Sequence, residues 1–575
     1  MTCEKNSAKN VYSTHGKGAR LVLAHFYFIE KGNGMREDMI QITKEMVEIP
    51  SINTTEGERH IGEYIEKFLR EIPYFKKHTD QVIVQELKND KFHRRNVLAI
   101  LLGEKEPNGK TLLFHGHTDT VGLEGYGALE PYACSPDELP KRLLEVELPE
   151  EVREDLLSGD YMFGRGVCDM KDGDAVFLGI MRDACEHPEE LSGNIVVSFN
   201  PVEENLHTGI IEATDVLLEL KEKYNLTYIM GINNDYVCPL FPGDSVKTVY
   251  TGMVGKLLPC FYIQGKETHV GQCYEGVDAS FLAAELVHKI HLSHEFTDEY
   301  DGEHSYPPSV LKMKDLKPWY NVQTAKEAFV YFNYFVHNQT IDVITKKLVK
   351  AAKEVFEEVL EKTKMETKWF ANANHDHTSC PEYMSRVLTY EELLHEARKK
   401  ETISDEKIEQ LILDELGRDC DKREAPIAVI RYLLQVVGIT SPCIVLYYAP
   451  PYCPHNTIQG AGEKLRKELM QITSEIGAEY GEKYRFMRFY PSLSDSSYLS
   501  MDETEESLRS LTQNFPGFDL MFPLPLENIR KLSIPAVNFG GFGKDAHKWT
   551  ERVNLPYTFG VLPKLIERTI DFYLR

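Results

Sequence analysis

Histidine and carboxylate side chains recur in this chain at the ends of apolar runs. His117 and Asp119 close the run from Thr111 to Val121, and Asp169, the pair Glu203 and Glu204, Asp235 and His547 stand beside further strand-like stretches. Five nitrogen or carboxylate ligands plus one spare glutamate are what a pair of hard-to-borderline cations needs to activate water against an amide. The carboxylates of Asp169, Glu204 and Asp235 would offset most of the charge of two divalent cations. Without cations, the same carboxylates would crowd together and raise one another's pKa. The chemistry implied is metal-dependent hydrolysis.

Spacing suggests how the work divides. Residues two apart on a strand share a face, so His117 reads as a ligand and Asp119 as the group that accepts the imidazole's other N–H. His115, equally spaced on the other side, is the competing choice. Consecutive side chains at Glu203 and Glu204 project differently, so one can bind metal while its neighbour faces water. Each motif has a plainer reading when taken alone: a solvated turn for His117 and Asp119, a surface turn for Asp169, a solvated strand end for the two glutamates.

The elements that must position these groups follow from periodicity. A helix is expected over 35–47 and another over 56–72, with strands at 82–87, 96–102 and 111–114, a helix at 175–184, and strands at 194–199 and 228–232. Each polar cluster falls where a strand yields to a loop, the edge at which open α/β sheets assemble ligand sites. The order then changes. Strand-like 252–265, helical 277–290, strand-like 309–322 and 328–336, and helical 341–363 suggest a split βαβ insert. A helix-prone stretch over 389–437 enlarges it, 442–448 is its closing strand, and 449–454 leads out. A helix resumes over 463–480, and 534–540 returns His547 to the core.

Composition narrows the class. At 575 residues, 42% of them hydrophobic, the chain can bury more than one core. A formal charge of −25 without a basic run argues against nucleic acid or an anionic membrane as partner and leaves small solutes. Eleven cysteines without paired spacing fit a reducing compartment, and so cytoplasmic localisation. No apolar stretch reaches membrane-spanning length.

Together the motifs resemble the co-catalytic zinc hydrolase family of aminoacylases, carboxypeptidase G, succinyl-diaminopimelate desuccinylase and related peptidases. The carrying segments are His-Thr-Asp at 117–119, Gly-Arg-Gly-Val-Cys-Asp-Met-Lys around Asp169, Glu-Glu at 203 and 204, and Ala-His-Lys-Trp-Thr-Glu at 546–551. The enlarged insert and the Ala449-Pro-Pro-Tyr segment look most similar to that family's arginine-utilisation branch. The resemblance implies an α/β zinc-peptidase-like catalytic domain over 35–250 and 456–575, with a central sheet flanked by helices. It implies an inserted ferredoxin-like α+β lid or dimerisation domain over 251–455, enlarged by a helical segment. Residues 1–34 would be an extension without a role in the fold.

On that resemblance two zinc ions, with cobalt or manganese as substitutes, would be bound. His117 and Asp235 would hold one and Glu204 and His547 the other, with Asp169 bridging and a cis peptide after it. Glu203 would be the general base, and His269 would steady the oxyanion, often across a dimer interface in this family. The substrate would be a small amino-acid derivative or peptide, and the branch resembled implies a place in arginine degradation. One departure stands out. Where relatives carry a carboxylate-gripping arginine on an insert strand, this chain has Phe332 to Tyr334, while Asn321 and Ser494-Asp495 match other family positions. The rival readings are a catalytically silent metal-binding or sensing protein on the same fold and a mononuclear enzyme. The segment from His375 to Cys380 has ligand types close together but reads as a loop.

Overall fold

The computed structural model describes residues 34–375 and 377–575. The expected N-terminal extension therefore lies almost wholly outside the described residues. Helix is present over 35–47, as the apolar spacing requires.

An eight-stranded sheet carries the candidate site. Its order is Val82–Glu86, Arg95–Leu101, Asn194–Asn200, Lys110–His117, Thr227–Asn233, Ala536–Asn538, Lys247–Tyr250 and Tyr484–Met487. The central strands are almost continuously buried, because helices such as Lys171–Ala184 and Thr208–Lys223 pack against them. Phe114 stacks on Phe177 at 5.0 Å between ring centres, fixing Lys171–Ala184 against the sheet. Lys110–His117 runs parallel to both neighbours, with His117 opposite Asn200 and His115 opposite Asn233. Ala536–Asn538 lies parallel beside Thr227–Asn233, with Asn538 opposite Asn233. The loops after four neighbouring parallel strands thus leave the sheet at one edge.

The second sheet orders Ser309–Asp315, Glu327–Val336, Pro259–Gln264, Cys443–Tyr448 and Val387–Thr389, with Gly255–Leu257 added beside the end of Glu327–Val336. Two helices, Ala279–Ile290 and Ile341–Asn374, complete the ferredoxin-like order. The helix-prone stretch forms Tyr390–Arg398, Asp405–Leu416 and Pro426–Val437, and the first is started by a capping box between Thr389 and Glu392.

Three expectations shift. The strand read over 309–322 ends at Asp315, and the segment beyond, containing Pro318, exposes Trp319 and Tyr320. The run 252–265 divides into Gly252–Met253, Gly255–Leu257 and Pro259–Gln264. Gly255 lies so close to Cys453 and His455 that a Cβ would meet backbone at 2.8 Å. The helices Glu505–Gln513 and Leu526–Leu532, unread in the sequence, pack Leu508, Leu511 and Ile529 into the same apolar cluster as the second sheet. Among the described residues no helix is long and apolar enough to cross a membrane. The ten described cysteines are free.

Candidate metal centre

At the shared edge of the parallel strands, ligand atoms of His117, Asp169 and Asp235 lie within 4.8 Å of one another, and so do those of Asp169, Glu204 and His547. Asp169 belongs to both groups. Its Oδ1 is 3.0 Å from His117 Nε2, and its Oδ2 is 3.0 Å from His547 Nε2. His547 Nε2 also lies 2.9 Å from Glu204 Oε1. The donor set of two imidazoles and three carboxylates could hold two divalent cations.

Each side chain is held by local structure. The peptide between Asp169 and Met170 is cis, as expected. His117 Nδ1 donates to the backbone carbonyl of Asp119 at 3.0 Å, which leaves Nε2 for a cation. This corrects the reading in which the Asp119 carboxylate receives that proton, because its nearer oxygen is 3.8 Å away. The carboxylate instead accepts the backbone N–H groups of Glu203 at 2.9 Å and Glu204 at 3.1 Å, and the Asn53 amide at 2.8 Å. One residue of the His-Thr-Asp segment therefore orients the imbricated loop that presents both glutamates.

Asp235 is fixed from behind. Asn538 Nδ2 donates to its carbonyl at 3.0 Å, and a Cβ at Gly540 would fall 1.6 Å from that oxygen. Gly173 makes a similarly close approach to the Asn234 carbonyl. His547 adopts a left-handed backbone at φ 66° and is half exposed, so the centre opens to solvent on its side. Arg165 ties the two distant segments together. It donates to the His547 carbonyl at 3.2 Å and pairs with buried Glu551 at 2.5 Å, whose other oxygen accepts the Cys168 N–H at 3.3 Å.

His115, the competing choice, is fully buried and bonded to Ser496 Oγ at 2.8 Å. Burial, reinforced by His117, pulls its pKa down to about 3, so it is a neutral structural side chain. His269 is exposed on the insert and outside both ligand groups. Asn321 is likewise exposed and bonds its neighbour Gln323. In the 375–380 loop, Asp376 lies outside the described residues, and neither His375 nor His377 joins a ligand group among the described residues.

The sequence reading missed His207. Its ring is buried, with Nδ1 2.9 Å from Asp495 Oδ1 and 3.8 Å from Glu203 Oε1. A histidine four residues after a candidate base was the available signal.

Charge at the centre is strongly coupled. Burial raises the Glu203 pKa well above the ordinary carboxylate range despite His117 and His207 nearby. Burial and the neighbouring Asp169 push Asp235 up to about 8. Asp169 moves the other way, since hydrogen bonds from His117 and His547 outweigh its burial. Hydrogen bonds to Asp169 and Glu204 lift His547 to about 11. His117 is raised too, its bond to Asp169 and the surrounding carboxylates overcoming burial. The two imidazoliums are therefore the positive partners of the carboxylates, and a bound cation would displace their protons.

An α/β sheet with paired imidazole and carboxylate groups at its loop edge defines a metal-dependent hydrolase. The family model for Peptidase family M20/M25/M40 matches residues 113–413. Protein RocB of Bacillus subtilis (strain 168) is 36% identical over 534 residues, covering 92% of this chain and 93% of its own. Carboxypeptidase G2 of Pseudomonas sp. (strain RS-16) is 28% identical over a shorter region, 32% of this chain and 36% of its own. A tripeptidase structure from Staphylococcus aureus shares the fold at a TM-score of 0.51 and 15% identity, covering 94% of this chain and 98% of that one. The chain belongs to Peptidase family M20/M25/M40.

Proposed function

We propose that this protein is a dinuclear amidohydrolase or peptidase, with zinc as its cation, that cleaves an amide or peptide bond of a small amino-acid derivative. The observation that carries the proposal is the sharing of Asp169: its two oxygens face His117 and His547, each at 3.0 Å, and each histidine has a further carboxylate beside it. His117 with Asp235 would hold one cation, Glu204 with His547 the other, and Asp169 both. Mixed imidazole and carboxylate donors suit zinc, with cobalt or manganese as substitutes. Two such cations would supply Lewis acidity, polarising the scissile carbonyl and making water more acidic.

Glu203 stands outside the two groups that share Asp169 and clusters instead with His207 and Asp495, its Oε1 3.8 Å from His207 Nδ1. Its raised proton affinity suits a base that accepts a proton from water and then delivers it to the leaving amine. Asp119 holds the Glu203 and Glu204 amides and so aims both carboxylates. His269, exposed on the insert, fits an oxyanion-stabilising role in the site of a second copy. The open edge strand Ser309–Asp315, with Leu311 and Met313 about half exposed, supports pairing of two chains there.

The same proposal assigns 35–250 and 456–575 to the catalytic domain and 251–455 to the lid. The eight-stranded sheet drawing its strands from 82–250 and 484–538 supports this division. A place in arginine degradation is the reading that the likeness to Protein RocB supports, and the ten free cysteines support the cytoplasm.

The test is a panel of N-acylated amino acids and dipeptides offered to protein loaded with zinc, cobalt or manganese. Hydrolysis of a panel member at two metal equivalents is expected. Glu203→Gln should keep both metals and lose turnover by a factor of about a hundred or more. Normal turnover by that variant would overturn the assignment.

A further inference from the structure

The loop after strand Asn194–Asn200 doubles back on itself before the helix Thr208–Lys223 begins. His207 donates its backbone N–H to the Val202 carbonyl at 2.9 Å, and its own carbonyl accepts the Ile211 N–H at 3.0 Å, so the residue is fixed at the helix start. Glu203 is thereby held near it, with Oε1 3.8 Å from His207 Nδ1. Asp495 reaches the same place from far along the chain. It opens a short turn whose preceding hydroxyl, Ser494 Oγ, accepts the Ser496 N–H at 3.2 Å and the amide of Asn233, the last residue of strand Thr227–Asn233, at 2.9 Å. That anchors Asp495 Oδ1 2.9 Å from His207 Nδ1.

Ligand atoms of Glu203, His207 and Asp495 all lie within 4.8 Å of one another, and none of the three residues belongs to the groups that share Asp169. Ligands spaced tetrahedrally around zinc at its usual bond lengths stand about 3.4 Å apart. The separations of 2.9 and 3.8 Å bracket that value. A second observation points the same way. Asp495 is 3% exposed, and its Oδ2 is buried without a hydrogen-bond partner among the described residues. A buried carboxylate oxygen left in that state is costly, and a divalent cation in the cluster would meet it. One neutral imidazole and two carboxylates also balance such a cation's charge, so that the buried cluster would carry none.

We infer that Glu203, His207 and Asp495 form a third divalent-cation site, suited to zinc, whose filling takes Glu203 out of service and stops turnover. This rests on Glu203 being the base of the amidohydrolase proposed above. A carboxylate that holds a cation cannot also take a proton from water, and the proton on His207 leaves as the cation enters. The two cations about Asp169 keep their own ligands throughout. The enzyme thus carries its own brake against excess zinc.

The experiment dialyses the full chain against rising free zinc, with metal analysis and with turnover of whichever panel member is hydrolysed. The wild type should go from two to three equivalents, and its turnover should fall by about a hundredfold as the third binds, the usual worth of a general base. Asp495→Asn and His207→Asn, both slower than the wild type at two equivalents, should stop at two and show no further fall. A wild type that stops at two equivalents would overturn the site, as would a third equivalent kept by both variants, which would place it elsewhere on the chain. A third equivalent lost by the variants but harmless to wild-type turnover would overturn the brake. If no panel member is hydrolysed, the amidohydrolase reading falls, while the step from three equivalents to two still reports the site, so the two failures are distinguishable.

Discussion

His207 and Asp495, 288 residues apart in sequence, meet through Nδ1 and Oδ1 at 2.9 Å, and the same nitrogen lies 3.8 Å from Glu203 Oε1. On its other side His207 contacts Cys453, whose sulfur accepts the Tyr498 hydroxyl at 3.1 Å. Burial alone would strip the imidazole of its proton, but Cys453, Asp495 and Glu203 together keep it charged. Glu203 therefore faces a fixed cation.

His207→Asn should lower kcat by about tenfold to a hundredfold, the usual cost of losing a partner that orients a working group. KM and the content of the two cations about Asp169 should change little, because His207 clusters with Glu203 and Asp495 and belongs to neither group that shares Asp169. Asp495→Asn should give a smaller loss of the same kind. A variant that lost one of those two cations instead would show that His207 supports the ligands rather than the base.

Gly540→Ala places a methyl 1.6 Å from the Asp235 carbonyl oxygen, a contact between backbone groups that no rotamer relieves. The loop carrying Asp235 must move. The expected result is about one metal equivalent lost and a stability cost of about 1–3 kcal/mol or more. Gly560→Ala, with nothing within 4 Å of the new methyl, is the control and should keep both metals. Metal analysis and thermal melting of the purified proteins check both.

His337 is buried and stacked on Phe489 at 3.8 Å, and burial lowers its pKa from 6.5 to about 4. The unfolded chain binds the proton more tightly across that window, so this contribution to stability is present above pH 6.5 and is lost as pH falls toward 4. Between pH 7 and pH 5 the loss amounts to about 2 kcal/mol. His337→Gln should flatten the acid limb by about that amount, read as denaturation midpoints at the two pH values. An unchanged acid limb would mean that the ring does not titrate in this way.

Metal loading should release protons. His117 and His547 hold theirs above neutrality, and Asp235, pushed to about 8, retains part of another. Calorimetric titration of zinc at pH 7 in buffers of different ionisation enthalpy should report about two protons or more displaced. Removal of the metals by a chelator should lower Tm, since the cations bind the folded chain in preference to the unfolded one. Zero proton release would mean that the cations bind elsewhere.

The sequence was most informative where apolar periodicity and ligand type coincide. His117, Asp169, Glu204, Asp235 and His547 could be named because each sits at the end of a run that must be a buried strand or its loop. What stayed hidden depends on the backbone. Nothing in the letters distinguishes an Asp119 that receives an imidazole proton from one that receives two amide protons, since both need only a carboxylate two residues on. The packing of Glu505–Gln513 on the helix Ile341–Asn374 and of Leu526–Leu532 on the helix Thr208–Lys223 was equally invisible, because short amphipathic helices announce a buried face but not the surface they cover.

The strand Ala536–Asn538 sits inside the eight-stranded sheet, between Thr227–Asn233 and Lys247–Tyr250. During synthesis both neighbours leave the ribosome long before it, and residues 251–535 must follow before the missing strand arrives. Until then the nascent sheet has two raw margins with unmet backbone donors and acceptors. Late closure of the middle of the sheet makes the growing chain a natural client for chaperones.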